Sequence, residues 1–244
     1  DVYKRQYPSP AASKLWATLA ALALVIVYNP VGNEALTPWA YVPVNVVVGA
    51  ALLTLARWSG LSWDLMGLRT DRLAKGARVG LAAVGVIAAA VAVGILIAPV
   101  REYFADDRFI GEGWGEMLYQ TLVRIPIGTA VFEEVVFRGV LLGFFLQRMA
   151  VWKAATLSSL LFGLWHILPT FDSIETNPGG DLLEGGLAVT AAVVGSVLVT
   201  GLAGYAFTWL RFRANSLLAP ILAHFAINSV AYVAGWMVVR YGWA

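Results

Sequence analysis

The sequence predicts an all-α, polytopic transmembrane helical bundle of about seven or eight membrane helices. Of its 244 residues, 59% are apolar and only 13% are charged, whereas a soluble domain usually carries about 25% charged residues. A bilayer core is spanned by a helix of about 20 mainly apolar residues, and the chain contains seven such stretches. None shows the period-two alternation of a barrel strand. We expect one integral membrane domain over residues 1–244.

The predicted spans follow one another with short polar connections. They cover residues 11–28, 39–56, 77–100, 117–147, 154–168, 183–210 and 216–239. The first and fifth are short and the fourth is long, so we expect tilted or partial spans there. Residues 1–6 form a polar stub without an initiator Met. We expect a truncated or altered start and leave this stub out of the fold prediction.

Basic residues mark one side of the predicted bundle. The N-terminal segment and every second loop hold 12 of the 17 basic residues: Lys4, Arg5, Lys14, Arg57, Arg69, Arg72, Lys75, Arg78, Arg148, Lys153, Arg211 and Arg213. The opposite loops hold Arg101, Arg108 and the C-terminal Arg240, together with most of the loop acids. Because basic loops stay in the cytoplasm, we expect a cytoplasmic N-terminus and an external C-terminus.

Two further patterns concern packing. Segment 58–76 mixes Trp63, Leu65 and Met66 with basic residues, which is typical either of an amphipathic segment on the membrane surface or of an ordinary solvated loop. Glycines four residues apart occur at Gly76/Gly80 and at Gly139/Gly143. We expect these pairs to allow close helix contacts.

Very few polar residues lie at membrane depth, and these are the candidate functional residues. A charge in hydrocarbon costs at least about 2.5–3.5 kcal/mol, so such residues normally face the bundle interior. They are Arg124, Glu133, Glu134, Arg138, His166, His224 and Asn228. We expect Arg124 to be an interfacial or snorkelling residue.

The two adjacent glutamates are expected to have different roles. Glu134 and Arg138 are four residues apart, on one helical face, where they can form an ion pair. We favour a structural role for this pair over direct catalysis. Glu133 lies about 100° around the helix, without that partner, and is the candidate for a general base.

The only two histidines of the chain, His166 and His224, lie inside predicted spans. At about 1.5 Å per residue from the nearest cytoplasmic basic residue, Glu133, His166 and His224 lie at depths of roughly 22, 20 and 16 Å. Either histidine alone is more simply explained as a core residue with satisfied hydrogen bonds. The common depth of all three groups favours a functional site.

Three segments resemble one known series of motifs. Glu133-Glu134-Val-Val-Phe-Arg138, Phe162-Gly-Leu-Trp-His166 and His224-Phe-Ala-Ile-Asn228 match EExxxR, FxxxH and HxxxN. In this order, on successive predicted helices, they are similar to the CPBP intramembrane protease family. That family comprises type II CAAX prenyl endopeptidases and bacteriocin-processing relatives, and is also called Abi. The resemblance covers residues 117–239 and implies about eight membrane helices.

The resemblance implies a role for each motif residue. Glu133 would activate the attacking water together with His166, while His224 and Asn228 would face the scissile carbonyl and stabilise the oxyanion. Glu134, Arg138 and Phe162 would support this arrangement. No Ser or Cys stands where a nucleophile would be needed, and the chain has no Cys at all.

The resemblance leaves the metal question open. Family members are commonly labelled metalloproteases, and Glu133, His166 and His224 would suffice as three ligands of a possible zinc ion. The HExxH pattern is absent, and a Glu–His pair can activate water without a metal. We favour a mechanism without a tightly bound zinc.

These observations predict an intramembrane endopeptidase that hydrolyses a peptide bond in a membrane-associated peptide or protein, prenylated or not. The resemblance implies a multi-pass protein of a bacterial or archaeal inner membrane. Two alternatives use the same buried Glu/His cluster: a proton-coupled transporter and a non-catalytic membrane scaffold. A net charge of only +2 excludes nucleic acid as a partner.

Overall fold

The computed structural model describes residues 15–176 and 185–243, and over these ranges the chain is helical without any β-strand. This confirms the predicted all-α bundle. The polar stub 1–6 and the basic residues Lys4, Arg5 and Lys14 lie outside the described residues.

The helices follow one another in an up-and-down order. We number them α1 (Leu15–Pro30), α2 (Pro38–Trp58), α3 (Leu73–Leu96), α4 (residues 114–146), α5 (Val151–Trp165), α6 (Ile167–Thr176), α7 (Gly186–Ala214) and α8 (Leu218–Arg240). A short π-helix, Val31–Ala35, continues α1. Short helical turns at Ala98–Arg101, Glu102–Phe104 and Asp107–Phe109 lie between α3 and α4.

Six helical stretches among the described residues are long and apolar enough to cross a membrane. They are Leu15–Ala35, Pro38–Trp58, Thr70–Leu96, Val151–Glu175, Gly186–Ala214 and Leu218–Arg240. Each overlaps one predicted span, and the short fifth prediction is lengthened because α6 continues α5 after a break. The chain is therefore an integral membrane protein.

The remaining predicted span, residues 117–147, corresponds to the composite helix α4. Its α-helical parts Trp114–Tyr119, Phe132–Glu134 and Leu142–Leu146 alternate with π-helical parts Gln120–Val131 and Val135–Leu141. Residues 132–145 are buried without interruption. A helix buried on every side lies at the centre of a bundle, and α1, α2, α5, α7 and α8 all contact α4.

Exposed tryptophans lie at both ends of the bundle. Trp16 begins α1, Trp58 ends α2 and Trp152 begins α5, so all three lie on the side of the basic loops. Trp39 begins α2 and Trp114 begins α4 on the opposite side. Belts of Trp and Tyr are typical of the two membrane–water interfaces.

Small residues allow α3 and α8 to approach closely. A Cβ atom on Gly76 would lie 2.5 Å from Ser216 Oγ, and one on Gly80 would lie 2.9 Å from Leu222 Cβ. The predicted packing role of Gly76 and Gly80 is therefore confirmed. Gly143 packs tightly against Leu61 of the segment that follows α2.

That segment between α2 and α3 is neither a surface helix nor a solvated loop. Its residues Leu61, Leu65 and Met66 are buried and belong to the hydrophobic core. Arg211 of α7, itself fully buried, donates hydrogen bonds to the carbonyls of Leu65 and Arg138. The segment thus fills the end of the bundle on the side of the basic loops, and Arg211 links it to α4.

Candidate active site

The predicted ion pair on α4 is formed at the centre of the bundle. Arg138 Nη1 donates to Glu134 Oε1 over 3.0 Å, and neither side chain is exposed. His224 Nδ1 lies 2.8 Å from the same oxygen. Glu134 therefore joins an arginine one turn away on its own helix to a histidine of α8.

Aromatic rings complete the surroundings of the buried arginine. The Arg138 guanidinium carbon lies 3.9 Å from the ring centre of Phe162 and 5.1 Å from that of Phe207. Ring faces carry negative electrostatic potential, which stabilises a desolvated cation. The His224 ring also stacks on Phe207, with centroids 5.0 Å apart. Phe162, predicted as a supporting residue, thus contacts the charged cluster directly.

Glu133 has a different environment from its neighbour. Its side chain is buried, and Oε1 accepts a hydrogen bond of 3.2 Å from Trp165 Nε1. Oε2 lies 3.8 Å from His224 Nε2, beyond hydrogen-bond distance. Oε2 has no hydrogen-bond partner among the described residues. A buried carboxylate oxygen without a partner is rare in native proteins and calls for an explanation.

His166 lies at the break between α5 and α6. Pro169 has no N–H group, so it cannot bond the Trp165 carbonyl four residues earlier. Asn29 Nδ2 of α1 donates to that carbonyl instead, over 3.0 Å. The break therefore has a local cause in the sequence, and it holds His166 at the end of α5 beside Phe162, with ring centroids 4.6 Å apart.

The hydrogen bonds of His166 define its tautomer. Nδ1 lies 2.8 Å from the Phe162 carbonyl oxygen. Since a carbonyl only accepts, Nδ1 carries the proton and donates it, an assignment made from the bonding partners. The Nε2 atom of the neutral ring is then unprotonated and can accept a proton.

A cavity of about 590 Å³ brings three of the predicted residues together. Glu133, His166 and Asn228 line it, with Tyr41 of α2 and residues of the segment between α3 and α4. His224 is not among its lining residues, although the resemblance implied that it faces the scissile carbonyl. Glu134, Arg138, Phe162 and His224 lie behind Glu133 and contact one another.

Charged and polar groups surround the mouth of this cavity. Arg108 donates to both carboxylate oxygens of the buried Asp106, at 3.0 and 2.8 Å, and this pairing raises the pKa of Arg108. Burial raises the pKa of Glu112, although Tyr232 donates a hydrogen bond of 2.6 Å to its carboxylate. The Tyr232–Glu112 bond fixes the segment before α4 against α8.

Sequence reasoning missed or misplaced two residues of the site. Trp165 orients Glu133, and its position inside the Phe162–His166 motif was the only available signal. Arg124 was expected to be an interfacial or snorkelling residue. It lines the same cavity as Glu133 instead, with its guanidinium carbon 4.2 Å from the Tyr41 ring centre.

The candidate zinc ligands are not arranged to hold a metal ion. Among the described residues, no group of three His, Asp or Glu side chains is placed for this purpose. His166 Nδ1 and His224 Nδ1 are each engaged by another protein group. These hydrogen bonds leave Nε2 as the ring nitrogen of each histidine that could bind a metal, and the mechanism proposed for this site uses none.

A comparison with known protein families finds one similarity. Residues 114–230 match the family described as "Type II CAAX prenyl endopeptidase Rce1-like", just under half of the chain. This segment of the chain is similar to that family. The matched residues include all three motifs and the cavity-lining residues Arg124, Glu133, His166 and Asn228.

The family match also bears on the general activity. It supports an intramembrane endopeptidase of the CAAX type in the broad sense, acting on membrane-associated substrates. No curated protein matches the chain. No solved structure matches it either.

Proposed function

We propose that this Rce1-like protein hydrolyses a peptide bond near the C-terminus of a membrane-associated substrate with water activated by Glu133 and His166. The observation that carries this proposal is the Oε2 atom of Glu133, a buried carboxylate oxygen without a hydrogen-bond partner among the described residues. It belongs to a side chain that lines a cavity shared with His166 and Asn228. A water molecule in that cavity could donate a proton to it.

In the proposed reaction, the water oxygen bonds to the scissile carbonyl carbon while Glu133 accepts the water proton. Trp165 holds Oε1 of Glu133, so Oε2 stays directed to the water. The amide of Asn228 donates a hydrogen bond to the developing oxyanion. The C–N bond then breaks, and a proton passes through the Glu133–His166 pair to the leaving amine.

Glu134, Arg138 and His224 are proposed as positioning residues. His224 bonds Glu134 and lies near Glu133, so it reaches the reacting atoms only through the glutamate. The ion pair of Glu134 with Arg138 in turn fixes the orientation of His224. This assignment differs from the role that the resemblance implied for His224.

The proposed orientation follows from the basic loops. The cavity is lined by residues of the segment between α3 and α4, at the end of the bundle opposite to these loops. With the basic loops in the cytoplasm, the N-terminus is cytoplasmic and the cavity opens toward the outer side. Whether the substrate is prenylated is decided by the assay below.

The test is cleavage of a fluorogenic reporter peptide, farnesylated or unmodified, by purified protein in liposomes. We expect the wild type to cleave at least one peptide, with loss of cleavage in Glu133→Gln and His166→Ala. Glu116→Gln is the matched control, because Glu116 is an exposed residue of the same helix outside the cavity. Cleavage that persists in Glu133→Gln would contradict the proposal.

A proton flux that depends on Glu133, without peptide turnover, would favour the proton-coupled transporter instead.

A further inference from the structure

Arg124 is a cation of the cavity whose charge is not neutralised by any acidic side chain of the residues that the structure describes. No carboxylate of the described residues forms an ion pair with it. Its contacts are the Gln120 amide oxygen, 3.3 Å from Nη1, and the face of the Tyr41 ring. The other cationic residue of the cavity, Arg108, is paired with Asp106 through two hydrogen bonds. A half-buried guanidinium of this kind favours an anionic ligand.

The winding of α4 explains why Arg124 and Glu133 line the same cavity. At about 100° per residue, an α-helix would place two residues nine positions apart on opposite faces. Residues Gln120–Val131 form a π-helix, whose i→i+5 turns contain more residues and rotate less per residue, roughly 80°. Nine residues then make about two full turns. Thr129, which lies between them, lines the cavity as well.

The distance between the two residues corresponds to a short peptide. Nine helical residues rise by at most about 13 Å. An extended peptide covers about 3.3–3.6 Å per residue. A substrate whose scissile carbonyl lies at Glu133 would therefore place a group three or four residues further along the peptide beside Arg124.

We propose that Arg124 binds the free C-terminal carboxylate of the substrate and so limits cleavage to the last three or four residues of the peptide. This inference rests on the proposed function of Glu133 as general base. The planar guanidinium offers two parallel N–H donors to the two carboxylate oxygens, a geometry that an amidated C-terminus cannot satisfy. Arg124 would thus be a specificity-determining residue of the endopeptidase.

The test compares two forms of one probe, a dansylated, farnesylated hexapeptide with either a free carboxylate or an amide at its C-terminus. Binding is measured by fluorescence anisotropy on full-length Glu133→Gln protein in detergent, so that turnover does not interfere. We expect the peptide acid to bind about 10–100-fold more tightly than the amide, because a hydrogen-bonded pair of charged groups contributes about that much to affinity. When Arg124→Gln is combined with Glu133→Gln, the affinities for the acid and the amide should become equal. Arg124→Lys should keep part of the difference between them.

The matched control is Arg240→Gln, which removes an exposed cation at the end of α8 outside the cavity and should leave the acid-to-amide ratio unchanged. Equal affinities for acid and amide, or a ratio that Arg124→Gln does not alter, would overturn the inference. A structural role of Arg124 would lower both affinities together and leave the ratio unchanged. Failure of the proposed function would be seen in the cleavage assay instead, because cleavage of the reporter peptide would then not depend on Glu133.

Discussion

Glu134 holds the buried polar cluster together through one oxygen, which bonds both Arg138 and His224. Removing the guanidinium would leave this carboxylate uncompensated in the core. We expect Arg138→Gln to lower the free energy of unfolding by about 3–5 kcal/mol, the usual cost of breaking a buried pair. Thermal unfolding in detergent measures the effect. Arg213→Gln, at an exposed position of α7, should change stability by no more than about 0.5 kcal/mol, and equal losses in both variants would contradict this prediction.

Trp165 carries a prediction about activity rather than stability. Trp165→Phe keeps an aromatic ring against Tyr28 and Phe132 but removes the N–H group that bonds Glu133 Oε1. We expect kcat to fall by about 10–100-fold with little change in KM, because a hydrogen bond to a charged group is lost. Steady-state cleavage of the reporter peptide is the measurement. An unchanged kcat would show that Trp165 does not orient Glu133, and Trp152→Phe on the exposed surface serves as control.

The rarity of charges at membrane depth explains which residues could be predicted. Glu133, Glu134, Arg138 and the two histidines were predictable because each is costly in lipid and needs a reason to be there. Trp165 and Asn29 were not, since an indole is typical of any apolar span and Asn29 lies at a predicted helix end. Their importance depends on Pro169 and on tertiary contacts that no single segment reveals.

Helix α4 shows where reasoning by periodicity fails at the scale of an element. A repeat of 3.6 residues correctly placed Glu134 and Arg138 on one face, which an ion pair of 3.0 Å now confirms. The same repeat would put Arg124 and Glu133 on opposite faces, because the π-helical winding between them cannot be foreseen from the pattern of apolar residues. The segment after α2 was misjudged because its contacts are tertiary: Leu61, Leu65 and Met66 pack into the core, and Arg211 of α7 bonds the Leu65 carbonyl.

The contact between α3 and α8 permits a matched test with two glycines of one helix. Gly80→Ala would place a Cβ 2.9 Å from Leu222 Cβ and 3.2 Å from Ala219 Cα, whereas nothing lies within 4 Å of a Cβ on Gly85. We expect Gly80→Ala to destabilise by about 1–3 kcal/mol through overpacking. Gly85→Ala should be neutral or stabilising by up to about 1 kcal/mol, because alanine favours the helix. Thermal unfolding of both variants is the measurement, and a Gly80→Ala variant as stable as Gly85→Ala would show that the helices are not in close contact.

At the scale of the whole molecule, the amino-acid pattern determined the architecture well. Hydropathy predicted the all-α membrane bundle because every backbone polar group in lipid must be bonded within its own helix. Six of the seven predicted spans are long apolar helices among the described residues. The remaining span, residues 117–147, is less apolar because it carries the charged residues of the site. Composition alone therefore predicts this span least reliably.

The orientation of the bundle remains a prediction, and the absence of Cys from the chain makes it simple to test. Ile110 and Thr70 are exposed at opposite ends of the bundle. We expect Ile110→Cys to react with a membrane-impermeant maleimide in intact cells, and Thr70→Cys to react only after permeabilisation. The reverse labelling pattern would place the basic loops outside and the cavity toward the cytoplasm.

The central claim is that the Oε2 atom of Glu133 takes the proton of the attacking water inside the cavity. The most direct measurement is kcat/KM for the reporter peptide with Glu133→Gln, which keeps the shape of the side chain but removes the base. We predict a loss of about 10²–10⁴-fold, the usual contribution of general base catalysis, in a variant that unfolds at the wild-type temperature or above. A value within threefold of wild type, with the Glu116→Gln control equally active, would contradict the account.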